Sequence, residues 1–375
     1  MKLTIKTAKL QEMVSKAVKG AGNNKLIPIT QMMAVKLEKN VLTLITTDAT
    51  NYLYIRESKV DGEDFYTVVP VEIFSKLISK MTCENITLEE KETSLQVTGN
   101  GKYSVPIQYE DSGEIVAYHD PLKDTKFKAK EGAEIQGTTV TVILNSIKPA
   151  LATTLEMPCY TGYYVGERVV ATDSSLINSL ECEVFKKPRL VSSEVMNLLA
   201  VMDTEKIHVD FKEGIICFSS PNCVVYGRDL PGIEDFAIDN IVPYLTELEF
   251  PASCEVSKNV LLQLLDRISL FVSSYDDDAV NLTFTKDGIQ LSSMSSNGTE
   301  LIPYVTSENY KENFICPLNI KELIRQVKAQ TGETVKIFYG NENALKFVDG
   351  KVIQVIGLLV DEEQGEEGDE ELPFT

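Results

Sequence analysis

Histidine is scarce in this chain of 375 residues, with His119 and His208 as its two imidazoles. Catalysis needs acids, bases or nucleophiles that converge on one place. His119 falls in a polar linker and His208 on an alternating strand, and neither belongs to a nucleophile–base motif. A Gly-rich loop able to cradle phosphate is also missing. The run Asp276-Asp277-Asp278 reads as a loop between a helix and a strand rather than a metal site. An enzyme is therefore not expected, and no cofactor or metal is implied. No apolar run approaches the roughly 20 residues that cross a membrane. The opening MKLTIKTAKL has spaced lysines and no apolar h-region of a secretory signal. The expectation is a soluble, cytoplasmic chain. No C-x-x-C pair occurs among the seven cysteines, Cys83, Cys159, Cys182, Cys217, Cys223, Cys254 and Cys316. An odd number inside apolar runs points to buried reduced thiols.

Positive charge is short as well: the formal net charge is -20. Residues 361–375 hold eight acids and no Lys or Arg, and without them the charge is still -12. Such a chain cannot hold nucleic acid by bulk attraction, because nonspecific affinity rests on Lys and Arg neutralising phosphates. Any role on DNA needs a local basic surface or a means of retention other than tight binding.

What the chain has is a pattern that recurs at roughly 120–125 residues, the scale of triplicated domains. A first helix heads each copy: KTAKLQEMVSKAV, NSIKPALATTL and SKNVLLQLLDRISLFV. A second helix recurs as VPVEIFSKLISKM, VSSEVMNLLAVM and CPLNIKELIRQVKAQ, with Ile73/Leu77, Val195/Leu199 and Ile320/Ile324 at helical spacing. A hairpin closes each copy, in SLQVTGNGKYSVPI, GIICFSSPNCVVYGRDL and NALKFVDGKVIQVIGLL. Gly-Asn-Gly and Asp-Gly are expected there to supply positive φ. Thr47-Asp48 and Thr172-Asp173 fall at equivalent places, while the third copy diverges to IQLSSMSSNG. The domains predicted are 1–125, 126–248 and 249–361, with 362–375 an acidic tail too poor in apolar residues to fold alone. Alternating strands and two helices per copy predict an α+β fold of antiparallel sheets, with the helices on one side.

Across residues 1–360 the pattern resembles the bacterial DNA polymerase III beta clamp. The resemblance rests on MKLTI before the first helix, NNKLIPITQMMAVKLEKNVLTLITTD, VVATD, VPVEIFSKLISKM and the close QVIGLLV. It implies three tandem clamp domains per chain and a head-to-tail homodimer closed into a six-domain ring. Sheets would lie outside, and two helices per copy would face the interior around double-stranded DNA. DNA polymerase and clamp loader are the partners implied, and DNA is held without regard to sequence. Threading explains how an acidic chain stays on DNA with weak, mobile contacts.

Candidate DNA-facing residues are Lys9, Lys16, Lys19 and Lys25, then Lys76 and Lys80 opposite the Ile73/Leu77 face, and Lys321, Arg325 and Lys328. In the middle copy Lys148 stands almost alone. That thin stripe keeps open a second reading, a scaffold or decoy of clamp ancestry that binds clamp partners without encircling DNA. The resemblance also implies an apolar groove for partner peptides at Thr172, Leu176, Ile177, Pro243, Asn319, Val355, Leu358 and Leu359. The family usually carries Gly-His-Arg after Thr-Asp, and this chain has Ser174-Ser175-Leu176. It usually ends Met-Pro-Met-Arg-Leu, and this chain has Gly357-Leu358-Leu359-Val360-Asp361. Last, Glu370, Glu371, Leu372, Pro373 and Phe374 resemble the acidic tip of bacterial single-stranded-DNA-binding proteins, with Thr375 as a departure. The resemblance implies recruitment of partners that read that tip. Self-occupancy of the groove and a merely solubilising tail are the alternatives.

Overall fold

The computed structural model describes residues 1–110, 112–118, 133–295 and 297–359. Copy one runs β1 (Lys2–Lys6), α1 (Thr7–Ala17), β2 (Met32–Glu38), β3 (Val41–Thr47), β4 (Tyr52–Ser58), β5 (Phe65–Pro70), α2 (Val71–Ser79), β6 (Asn85–Glu90), β7 (Ser94–Thr98) and β8 (Lys102–Pro106). Copy two repeats the order. It runs β9 (Glu134–Gln136), α3 (Gly137–Val142, extended by a π-helical turn at Ile143–Ile147), β10 (Gly162–Val165), β11 (Arg168–Thr172), β12 (Leu176–Glu181), β13 (Arg189–Ser192), α4 (Ser193–Leu199), β14 (Lys206–Lys212), β15 (Ile215–Ser219) and β16 (Cys223–Arg228). A connecting helix α5 (Ile238–Thr246) follows. Copy three runs β17 (Ala252–Ser257), α6 (Lys258–Ile268), β18 (Ala279–Phe284), β19 (Gly288–Ser293), β20 (Thr299–Pro303), β21 (Thr306–Glu308), β22 (Phe314–Asn319), α7 (Ile320–Ala329), β23 (Thr334–Tyr339), β24 (Ala344–Asp349) and β25 (Val352–Gly357).

Contacts group the chain into two compact units rather than three. Unit 1 takes the described residues of Met1–Val140 and Glu194–Asp229, and unit 2 those of Thr141–Ser193 and Leu230–Thr375. Sheet pairing explains the grouping. In unit 1 a four-stranded sheet β1-β6-β7-β8 accompanies an eight-stranded sheet β5-β2-β3-β4-β16-β15-β14-β9. In unit 2 a nine-stranded sheet β13-β10-β11-β12-β25-β24-β23-β17-β21 accompanies β20-β19-β18-β22. Copy two thus gives strands to both units. It joins copy one through β4 and β16, and copy three through β12 and β25.

Helical periodicity places the apolar faces. In α1 the buried residues are Thr7, Leu10, Met13, Val14 and Ala17, and in α6 they are Leu261, Leu264, Leu265 and Ile268. Each fully buried Leu or Val contributes about 1.5–3 kcal/mol. In α2 the buried face is Val71, Phe74 and Ile78, not Ile73 and Leu77. Ile73 is 51% exposed. VEIFSKLIS has apolar residues at two phases, so spacing alone could not choose between them. Lys76 and Lys80 consequently share the outer flank with Ile73 and Leu77 instead of opposing them. The expected one-sided helices also gain α5, which forms despite Pro243 inside it.

The expected hairpins form at β7–β8, β15–β16 and β24–β25. Gly350 has φ +60, as its tight turn requires. Gly99 does not use positive φ, and its role is space: a Cβ there would meet the Cys83 sulfur at 2.7 Å. Cys159, Cys217, Cys223, Cys254 and Cys316 are buried, and Cys83 and Cys182 are half-buried. Burial pushes the thiols of Cys217, Cys223, Cys254 and Cys316 up to about 12, so none is a thiolate at neutral pH. No helix among the described residues is long and apolar enough to cross a membrane.

Candidate peptide groove and basic helices

Two turns built alike organise the chemistry. After β3, the Asp48 Oδ1 accepts from the Thr50 and Asn51 amides at 2.9 and 2.7 Å, with Ala49 at φ 84. After β11, the Asp173 Oδ1 accepts from the Ser175 and Leu176 amides at 3.2 and 2.8 Å, with Ser174 at φ 80. The Thr-Asp pairs are therefore structurally equivalent, and each aspartate folds its turn by taking backbone N–H groups. The second oxygens differ in use. Asp48 Oδ2 accepts from the Asn51 side chain at 2.8 Å, whereas Asp173 Oδ2 accepts from the Arg325 guanidinium at 2.8 Å.

Around the Asp173 turn, unit 2 gathers part of the expected groove. Ile177 of β12 pairs with Val355 of β25, and both belong to an apolar cluster with Ile241 and Leu245 of α5. Half-buried Met157, Tyr244, Leu248 and Phe250 border that cluster. Leu155, which the sequence reading did not single out, is 79% exposed in the loop before Met157. Pro243 is half-buried on α5, and Leu358 and Leu359 are half-buried where the chain leaves β25. Leu359 N–H donates to the Pro317 carbonyl at 2.9 Å, and Gly357 N–H donates to the Ser175 carbonyl at 2.9 Å. Asn319 caps α7, its Oδ1 accepting from the Lys321 amide at 2.9 Å and the Glu322 amide at 3.3 Å. Thr172 is buried, and its hydroxyl accepts from the Ser174 amide.

Leu176 is not brought together with Ile177. Successive strand residues point to opposite faces, and Leu176 pairs with Ile356 on the face that carries Asn178 and Gln354. That face is closed by a buried polar network. Asn178 and Gln354 both donate to the Ser146 carbonyl, at 2.8 and 3.0 Å. Gln326 of α7 donates to the Asn178 side-chain oxygen at 2.7 Å, and the Ser146 hydroxyl donates to the Ala329 carbonyl at 2.9 Å. Gln330 bonds Gln354. Sequence spacing gave no sign of this network.

Lys9, Lys16, Lys76, Lys321 and Arg325 each hold a carboxylate. Lys9 lies 3.2 Å from Glu12 and 3.0 Å from Glu57, and Lys16 lies 2.8 Å from Glu12. Lys76 pairs with Glu72 at 2.6 Å, Lys321 with Asp278, and Arg325 with Asp173. Hydrogen bonds from Lys16 and then Lys9 hold Glu12 below the usual carboxylate range. Lys19, Lys25, Lys80, Lys148 and Lys328 are exposed. His208 is exposed on β14, 3.7 Å from Glu134. No His/Cys/Asp/Glu group able to hold a metal occurs among the described residues. Residues 360–375, with the tail motif Glu370, Glu371, Leu372, Pro373 and Phe374, lie outside the described residues, as does His119.

Residues 1–116 match the family model described as DNA polymerase III beta subunit, N-terminal domain. The beta subunit structure from Streptococcus pyogenes is 17% identical, with a TM-score of 0.81 over 96% of this chain and 100% of that one. The chain has the fold of a bacterial beta clamp. The sliding clamp of Bacillus subtilis is also 17% identical, with a TM-score of 0.80 over 96% of this chain and 99% of that one. The Borrelia burgdorferi beta subunit, solved with a natural product, is 16% identical with a TM-score of 0.82, covering 96% and 98%. No curated protein sequence matches. The clamp fold thus persists here at identities where most side chains have changed.

Proposed function

We propose that the chain is a DNA sliding clamp: two copies close head to tail into a ring around duplex DNA, and the unit 2 groove tethers a polymerase or another partner. The ring would hold three domains per chain, with boundaries near residues 125 and 249. It does no catalysis.

The observation that carries the reading is the mismatch between filled and unfilled strand edges. Within the chain, the fourth strand of one copy pairs with the last strand of the next, as β4–β16 and β12–β25. Applied once more, the rule leaves two strands over. These are β20 in copy three and β8 in copy one, and neither has a neighbour on its outer side among the described residues. The joined strands β16 and β12 are buried nearly throughout, whereas β8 and β20 show exposed residues along most of their length. Tyr103 is 41% and Leu301 51% exposed on these two edges. The helices agree. Leu270 and Phe271 after α6 are 80% and 52% exposed, and α2 exposes Ile73. Edges of this kind are normally blunted or covered. A second copy supplies the complementary edge, and cyclic closure is the common solution for identical subunits.

Duplex DNA inside such a ring would meet the ten basic candidates, of which Lys9, Lys16, Lys76, Lys321 and Arg325 are moderated by their carboxylates. Weak contacts suit a part that slides, because phosphate contacts carry no sequence information. The test is topological. Clamp loaded on nicked circular DNA should stay bound through gel filtration and be lost when the circle is cut. Equal retention on circular and linear DNA, or no retention on either, would remove the ring.

A further inference from the structure

We propose that the rim of the unit 2 groove selects partner peptides that bring a Lys or Arg side chain to the Glu322 carboxylate. This deepens the groove reading above and rests on it. Glu322 stands in the first turn of α7, beside the Asn319 cap, and its carboxylate accepts from the Ser175 hydroxyl at 2.8 Å. Ser175 in turn holds the end of β25 through the Gly357 amide. The carboxylate therefore sits where the Asp173 turn, α7 and the half-buried Leu358 and Leu359 converge.

The cations nearby are committed elsewhere. Arg325 gives its guanidinium to Asp173, and Lys321 its ammonium to Asp278. Lys346, on β24, donates to the Leu245 carbonyl at the end of α5. Asp173 has both oxygens satisfied, by backbone amides and by Arg325. Glu322 has a neutral hydroxyl, and the rim of Asp173, Glu322 and Arg325 keeps one uncompensated negative charge. Burial first, and then the Asp173 charge, raise the Glu322 pKa against the opposing effects of Ser175 and Arg325. That is the behaviour of a carboxylate taken out of water beside a like charge. An incoming ammonium or guanidinium makes a charge-assisted hydrogen bond there. An acidic residue in the same place meets like charge in a partly desolvated site. The acid-rich end of this chain is by the same argument a poor occupant of its own groove.

The experiment uses the full chain and three synthetic peptides that share the same pair of large apolar anchor residues, to fit the apolar cluster, and differ in one flanking residue, Lys, Gln or Glu. Fluorescence anisotropy should rank them Lys, then Gln, then Glu, with about fivefold between neighbours at low salt, as for a part-exposed charge pair. The Lys-to-Glu ratio should shrink as salt is raised. It should also collapse in Glu322→Gln, which keeps the hydrogen bond to Ser175. Binding of all three with equal affinity, or a ratio that survives Glu322→Gln or high salt, overturns the charge preference while leaving the groove in place. Failure of all three to bind overturns the groove itself.

Discussion

The joint between copies one and two, inside unit 1, and the joint between copies two and three, inside unit 2, use the same strand pairing and fill it differently. Counted from the matching turns at Asp48 and Asp173, Leu53 corresponds to Asn178. The strand partner of Leu53 is Val225, and that of Asn178 is Gln354. Leu199 and Gln326 occupy the same place in α4 and α7. Unit 1 thus packs Leu53, Val225 and Leu199 where unit 2 buries three amides, and all six residues are 1% exposed or less. Beside the apolar set, unit 1 opens a cavity of about 180 Å³ lined by Lys9, Glu12, Lys16, Arg56 and Asp203. One joint keeps its charges in water, where they cost little and contribute little. The other buries uncharged polar groups, which stabilise only when each has its partner. The comparison teaches that one backbone joint accepts either chemistry, with very different tolerance to change.

The largest effect expected is in unit 2. Asn178→Leu leaves the Gln326 amide without its partner and the Ser146 carbonyl with Gln354 as its remaining donor, and should cost about 3 kcal/mol in a denaturant titration. Importing the whole unit 1 set, Asn178→Leu with Gln326→Leu and Gln354→Val, should recover part of that loss, because the Gln326–Asn178 bond is then apolar on both sides while the Ser146 carbonyl and Gln330 lose their partners. A triple variant as unstable as the sum of its singles would show that the two joints are not interchangeable.

Acidification should separate the joints with a smaller effect. Glu12 is held low by Lys16 and Lys9, so its stabilising contribution is present above the usual carboxylate range and lost as pH falls through its folded value. Glu322 is raised, chiefly by burial, so its ionisation opposes folding at neutral pH. Protonation relieves that cost as pH falls through the raised value. Comparing wild type with Glu12→Gln and Glu322→Gln from pH 7 to pH 4 should give stability differences of opposite slope, each under about 1 kcal/mol. Parallel slopes would contradict the assignment. Glu12→Gln should change stability at neutral pH least of all, by about 0.5 kcal/mol or less. Releasing Lys16, with Lys9 still held by Glu57, should nevertheless strengthen DNA retention at low salt about twofold.

Much of this was legible in the sequence, and particular residues show where legibility ends. The repeat, most of the helices and the hairpins follow from local periodicity and turn residues, as Thr47-Asp48 and Thr172-Asp173 illustrate, but the first helix of copy two, expected at NSIKPALATTL, lies earlier, at Gly137–Val142 and Ile143–Ile147. The phase of α2 was not legible, because Val71, Ile73, Phe74, Leu77 and Ile78 offer two apolar stripes and the choice is tertiary. Pro243 hid α5, since proline inside a helix normally breaks it. Leu176 and Ile177 looked like one groove, although the alternation of a strand divides them between faces. The amide network was beyond reach, since the Gln354 bond to Ser146 spans 208 residues. The tail motif is a sequence feature alone, outside the described residues.

The central claim is that β8 and β20 await a joint of the same kind as the two already made, and the mass of the full chain in solution tests it most directly. Sedimentation at micromolar concentration should give twice the 41.7 kDa chain mass. The double variant Leu270→Asp with Phe271→Asp should give the single mass while keeping the wild-type circular dichroism spectrum. A wild type that sediments as a monomer or trimer, or a double variant that stays dimeric, would contradict the account.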